Sequence, residues 1–343
     1  MRKGIGKVAA LAALALLARP PAARAAESPG LELFATVAQP DLIPEGIAFD
    51  RETRTLFVGS IFQRKIVALS ADGSARDFVR ARQDGLWSVL GLKVDPDRRT
   101  LLACSGVDGP GMSHYAPADL GRSALFEFDL ATGKTLRIFR APAAGKHFFN
   151  DVALARGGAA YVTDSAQGCV YRIDRSSGRV ERFAPAGRLV YPNGIALDPS
   201  DRTLFVADAR TIYAVDLAAK TRRELRHSPR IRLGEADGLY FDRGALIAIQ
   251  NGNPPVRVAR FSLSPSLDRV TGEMRLAEAD PRLPEPTTGA IAGDVMYLVG
   301  DVQLRAIGKD GALWPRAKLA PVKIYAMALR TAPPAAPFDG RPR

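Results

Sequence analysis

Four oxygen-bearing side chains recur at the same place in a repeated phrase. Glu45 stands in EGIAFD, Asn150 in NDVALA, Asn193 in NGIALD and Asp237 in DGLYFD. Each precedes a short apolar run. Two weaker copies, LGLKVD at Leu90 and TGAIAG at Thr288, complete a series of six at intervals of 43 to 60 residues. Two carboxylates and two amide carbonyls form a hard oxygen donor set. Calcium takes six to eight oxygen ligands, so four protein donors leave positions for water or substrate. No His or Cys stands in this column, which disfavours zinc and other metals that prefer nitrogen or sulfur. Asn-Gly and Asp-Gly are also ordinary turn formers, so any one dipeptide has a simple turn reading. That reading fails for Glu45, a poor turn residue, and the metal reading accounts for all four.

A cyclic fold of repeated units would bring these residues together, although up to 192 positions separate them in sequence. A repeat of this length with several short strands per unit predicts a six-bladed β-propeller, an all-β fold that gathers equivalent positions around one channel. Each unit carries an apolar first strand after the dipeptide and a second strand such as TLFVGS or AAYVTDS. An alternating third strand follows (KIVALS, CVYRID, RVARFS), then a polar fourth (ARDFVR, RVERFA, TGEMRL). These runs are rich in β-branched and aromatic residues, as half-buried strands require. Unit six has KIYAMAL (Lys323–Leu329) as a third strand and nothing after it to serve as a fourth. LELFATVA (Leu31–Ala38) has the missing pattern, which predicts a ring closed by the N-terminal strand and no exposed edge between the first and last blades. Two long insertions, Gly106–Arg122 with His114 and Val302–Pro321, are candidates for loops over a site.

The ordered series Pro44-Glu45-Gly46, Phe149-Asn150-Asp151, Pro192-Asn193-Gly194 and Ala236-Asp237-Gly238 resembles the SMP-30/gluconolactonase/LRE-like family, and more distantly paraoxonases and diisopropylfluorophosphatase. The resemblance covers about the whole chain beyond the leader. It implies a divalent metal, usually calcium, held at the channel mouth by Glu45, Asn150, Asn193 and Asp237. It also implies that Asp237 acts as general base or nucleophile, with Asp151 supporting the ligands from behind. Two departures bear on the substrate. The sugar-lactone hydrolases of the family carry Arg two residues before the Asn-Asp pair, where this chain has Phe148. Paraoxonases carry His at the second-blade column position, where this chain has Leu90. With Phe149, Trp87 and Tyr191 nearby in the pattern, the pocket is expected to suit a lactone or ester more apolar than a sugar lactone. His147 lies three residues before the Asn-Asp pair and is a further candidate for the pocket. The alternative is a non-catalytic propeller of the cell envelope in which calcium only ties the blades together, because the fold hosts both roles. Strictosidine-synthase-like propellers share six blades but lack this ligand set. No G-x-S-x-G elbow, P-loop or strand-linked G-x-G-x-x-G is present, which argues against a serine hydrolase or a nucleotide enzyme.

Arg2, Lys3 and Lys7, the apolar run Val8–Ala18 and Ala23-Arg24-Ala25 read as a cleaved export signal over residues 1–25, and hence a periplasmic or secreted protein. The apolar run is too short for a stable span, so the mature chain is expected to have none. Residues 26–330 then form the propeller, and the proline-rich 331–343 a disordered tail. The net charge of +12 falls to about +7 without the leader. The basic residues are dispersed with no aromatic strip, which argues against nucleic acid and leaves a small molecule as the expected partner. No feature specifies an oligomeric state. Cys104 and Cys169 fall in different units, where spacing leaves pairing open.

Overall fold

The computed structural model describes residues 28, 30–70, 74–109, 112 and 115–330. The leader-like segment 1–25, the tail 331–343 and His114 lie outside the described residues. Among the described residues, no helix is long and apolar enough to cross a membrane.

Six four-stranded antiparallel sheets follow one another around a ring. Their inner strands are Pro44–Asp50, Ser88–Asp95, Phe149–Leu154, Ile195–Leu197, Ala236–Asp242 and Gly289–Ala292 in blades one to six. Polarity grows outward within each blade, because inner strands are covered by neighbouring blades and outer ones face water. In blade four the second strand Thr203–Ala207 is almost wholly buried, whereas every residue of the outer strand Thr221–Glu224 is exposed. Large buried side chains such as Phe57, Phe126, Phe205 and Phe261 fill the wedges between blades.

The ring closes as the sequence predicts. Leu31–Val37 pairs antiparallel with Val322–Ala328, from Leu31 opposite Met327 to Val37 opposite Val322. The last blade is therefore built from both ends of the propeller chain. The hydroxyls of Thr287 and Thr288 add a tie by donating to the Glu45 carbonyl at 3.0 and 2.5 Å. Cys104 and Cys169 are buried free thiols.

One local expectation needs correction. The repeated dipeptide does not precede the inner strand in every blade. In blades one, two, three and five it lies inside that strand, where the register slips between Pro44 and Ile47, Val89 and Leu92, Phe149 and Val152, and Ala236 and Gly238. A bulge gives one strand an extra residue and re-aims its side chains. The glycines serve inter-blade approach rather than positive φ. A Cβ on Gly46 would sit 2.0 Å from the Leu90 carbonyl oxygen, and one on Gly91 would sit 2.5 Å from Asp151 Oδ1.

Candidate active site

Glu45, Leu90, Asn150 and Asp237 at the bulges, and Asn193 just before the blade-four inner strand, stand on the wall of one cavity of about 470 Å³ at a mouth of the channel. All four oxygen donors of the column thus converge there, although they come from four blades. Thr288, the sixth column residue, turns to the Glu45 carbonyl and the adjacent Thr287 joins the wall.

The polar ends of the second strands hold the column in place. Asn150 Nδ2 donates to Ser165 Oγ at 3.0 Å, and that hydroxyl donates to the Pro192 carbonyl at 2.6 Å. Asp237 is held on both oxygens. Asn193 Nδ2 donates to Oδ1 and Asn251 Nδ2 to Oδ2, each at 2.6 Å, while Asn251 also reaches the Pro286 carbonyl at 3.0 Å. Asn251 has no place in the repeated dipeptide, and the column alone does not point to it. Its signal lies in the polar residue that closes each second strand, as in TLFVGS, AAYVTDS and ALIAIQN.

Glu45 is buried, and its Oε2 has no hydrogen-bond partner. Burial raises its carboxyl well above the usual range, and the charges of Asp237 and Asp151 push it further. Asp237 is raised to about 6 by burial, against the pull of the Asn251 and Asn193 hydrogen bonds. Asp151 is raised to about 7, again chiefly by burial. An ionised carboxylate without a partner is costly to bury. Acids crowded at one mouth raise each other's pKa, and a cation between them reverses that.

The donor set fits a hard divalent cation. Glu45 offers an unmatched buried oxygen, Asp237 a second carboxylate, and Asn150 and Asn193 the carbonyl ends of amides whose nitrogens are already engaged. Among the described residues no cluster of three or more His, Cys, Asp or Glu side chains has metal-holding geometry. Half of this set is asparagine, so it lies outside such clusters.

The remaining candidates separate clearly. Phe148, Leu90 and Tyr191 line the cavity with Ile61, Met112 and Leu304. Met112 and Leu304 come from the two long insertions, each of which thus contributes a wall residue to the site. Asp151 does not line it. It stands behind, accepting from the backbone N–H of Val152 at 2.8 Å and of Ile195 at 3.3 Å. His147 does not reach the cavity either. It is buried, with Nδ1 2.6 Å from Asp164 Oδ2 and Nε2 2.9 Å from the Ala144 carbonyl, and it packs edge-on against Phe149 and Tyr171. Both ring nitrogens are therefore engaged in holding the wall. Phe149 and Trp87 pack in the core rather than in the pocket.

Residues 43–272 match the family model for the SMP-30/gluconolactonase/LRE-like region. Among solved structures, the chain is similar to a gluconolactonase from Xanthomonas campestris at 19% identity and a TM-score of 0.58, covering 91% of this chain and 99% of that one. A calcium-binding protein, regucalcin, from Agrobacterium tumefaciens aligns at 17% identity and a TM-score of 0.58, over 90% of this chain and 97% of that one. The PQQ-bound aldose sugar dehydrogenase of Streptomyces coelicolor aligns at 15% identity and a TM-score of 0.57, over 88% and 99%. These structures carry different chemistries at similar distance, so the likeness establishes the fold alone. No curated protein matches the chain in sequence.

Proposed function

The chain belongs to the SMP-30/gluconolactonase/LRE-like family, and on that premise we propose that it is a metal-dependent hydrolase of a lactone or ester more apolar than a sugar lactone. The observation that carries this reading is the buried, partnerless Glu45 Oε2 facing the same cavity as Asp237, Asn150 and Asn193. Calcium is the cation we assign to the four donors, since all are oxygens and none is nitrogen or sulfur. When bound, it supplies Lewis-acid polarisation of the substrate carbonyl.

The residues of the chain have separable tasks. Asp237 is fixed in orientation by Asn193 and Asn251, so one carboxylate edge stays aimed at the cavity without a rotamer search. Ionised, it takes a proton from an attacking water or attacks the carbonyl carbon itself. Leu90, Phe148, Met112 and Leu304 exclude water and give the acyl body an apolar seat. Phe148 offers no hydrogen bond to sugar hydroxyls, which supports the apolar choice.

We place the protein's work in the cell envelope or outside the cell, on the strength of the leader-like residues 1–25. N-terminal sequencing of protein recovered from cell fractions tests that assignment.

The hydrolysis test is a panel of aliphatic and aryl lactones and aryl esters beside sugar lactones, assayed with calcium and with chelator. Turnover of the apolar members, lost in chelator and restored by calcium, is the expected result. Turnover of sugar lactones alone would reverse the substrate assignment. Calcium binding without turnover of any member would replace the enzyme with a calcium-stabilised binding propeller.

A further inference from the structure

The far mouth of the channel opens into a second cavity of about 650 Å³, larger than the one at the metal-type column. Its wall is built by the fourth residue after each column position in five successive blades: Phe49, Val94, Leu154, Leu197 and Phe241. All five are only partly buried, so they present apolar surface to the cavity. The third residue after the column is Ala in blades one, three and four (Ala48, Ala153, Ala196) and Lys93 in blade two. Three small residues leave room, and Lys93, exposed beside the apolar ring, stays open to a ligand.

The charges around Lys93 are otherwise spoken for. Asp50 at the rim is held by a two-pronged Arg99, with both contacts at 2.8 Å. Asp242 is held by Arg260 at 2.7 Å. Asp151 shares the cavity wall and attracts Lys93 through space, but it accepts backbone N–H groups of Val152 and Ile195 and makes no ion pair with Lys93 within 4 Å. Among the described residues Lys93 has no hydrogen-bond or ion-pair partner, and exposed Arg51 adds a second cation at the rim. An exposed ammonium without a close partner, beside apolar surface, can meet the head of an anion whose body lies on that surface.

We propose that this far cavity is a binding site for a small organic anion with an apolar body, a medium-chain or aryl carboxylate, held by Lys93 at its head and by the five-blade apolar ring along its length. The cavity size lies within the ordinary range for small-molecule sites, roughly 300–1,000 Å³. The proposal does not depend on the hydrolysis assigned to the opposite mouth.

Titration calorimetry with sodium octanoate, in chelator and again in calcium, tests it. One octanoate should bind per chain in both conditions, and octanol should bind more weakly. Lys93→Met keeps an unbranched side chain only one atom shorter and removes its charge, and should weaken octanoate binding at least about tenfold. Lys93→Arg should retain most of it, and circular dichroism should report the same fold for both variants. No binding up to about 10 mM octanoate would overturn the proposal, since affinity below that level is negligible. Equal affinity in Lys93→Met and wild type, or binding seen only with calcium, would do the same by placing octanoate elsewhere.

Discussion

At the scale of single residues, the site is a balance between buried acids and whatever neutralises them. Asp237→Asn keeps the shape and an oxygen ligand but removes charge and basicity. Hydrolysis in that variant is expected to fall at least about a hundredfold, the scale of general base catalysis. Glu45→Gln removes a charge from the same cavity without touching the proposed base, and excess calcium should restore much of its activity. Equal losses in both variants, both recovered by excess calcium, would reduce Asp237 to a metal ligand. The raised carboxyls also predict how stability depends on pH. In chelator the folded protein keeps protons on Asp237 up to about pH 6 and on Asp151 up to about pH 7. The unfolded chain loses them near pH 3.9. The folded state therefore binds more protons between about pH 4 and 7, and stability falls as pH rises through that window. Chelated protein should melt at a higher temperature at pH 5.5 than at pH 7.5. Calcium at about a hundred times its Kd should add about 2.7 kcal/mol and raise the pH 7.5 melting point by several degrees. Scanning calorimetry at the two pH values, with and without calcium, checks both; a chelated protein that melts higher at pH 7.5 would contradict the assignment of those protons.

At the scale of elements, the bulged inner strands set the geometry. A bulge turns the column side chain toward the channel mouth, and the following glycine lets the neighbouring blade close in behind it. Gly46→Ala should therefore destabilise the protein by about 1–3 kcal/mol or more, through overpacking against the Leu90 backbone. Gly244→Ala serves as a contrast: nothing lies within 4 Å of its Cβ position, and its cost comes from positive φ alone. Urea melts of the two variants distinguish these causes. A Gly46→Ala protein as stable as wild type would show that the blades can slide apart at no cost, and the site geometry would lose its explanation. Asn251 belongs to this scale as well, because it acts from the end of a second strand on the carboxylate of a first.

At the scale of the whole molecule, closure makes the ring one object. Leu31–Val37 is the outer strand of the last blade, and its removal leaves the edge of Val322–Ala328 unpaired. Deleting residues 26–38 should destabilise all six blades together, lowering the melting temperature in a single transition and raising the tendency to aggregate. Partial loss confined to blade six, with calcium binding intact, would mean the ring does not need its closing strand.

Much of this molecule is legible in the order of its residues. The repeat of Glu45, Asn150, Asn193 and Asp237, with its weaker copies at Leu90 and Thr288, sets the number of blades, since a periodic phrase with period-2 strands has few other ways to bury its apolar faces. The orphan pattern LELFATVA locates the closing strand, because outer strands share a polarity that inner ones lack. The oxygen-only column points to a hard cation for reasons of ligand chemistry alone. What the tertiary structure decides is of another kind. His147 and Phe148 are neighbours in the chain, yet one holds the wall and the other lines the pocket, because His147 is drawn to Asp164 and the Ala144 carbonyl while the Phe148 side chain meets no such partner. The glycines after the column look like turn residues in sequence, and only the approach of the next blade reveals that they are spacers. Asn251 carries only the weak mark of a polar residue closing a second strand, and Lys93 carries none. Their surroundings come from other blades, and a linear pattern records which residues a strand contains but not which distant groups leave them satisfied or alone.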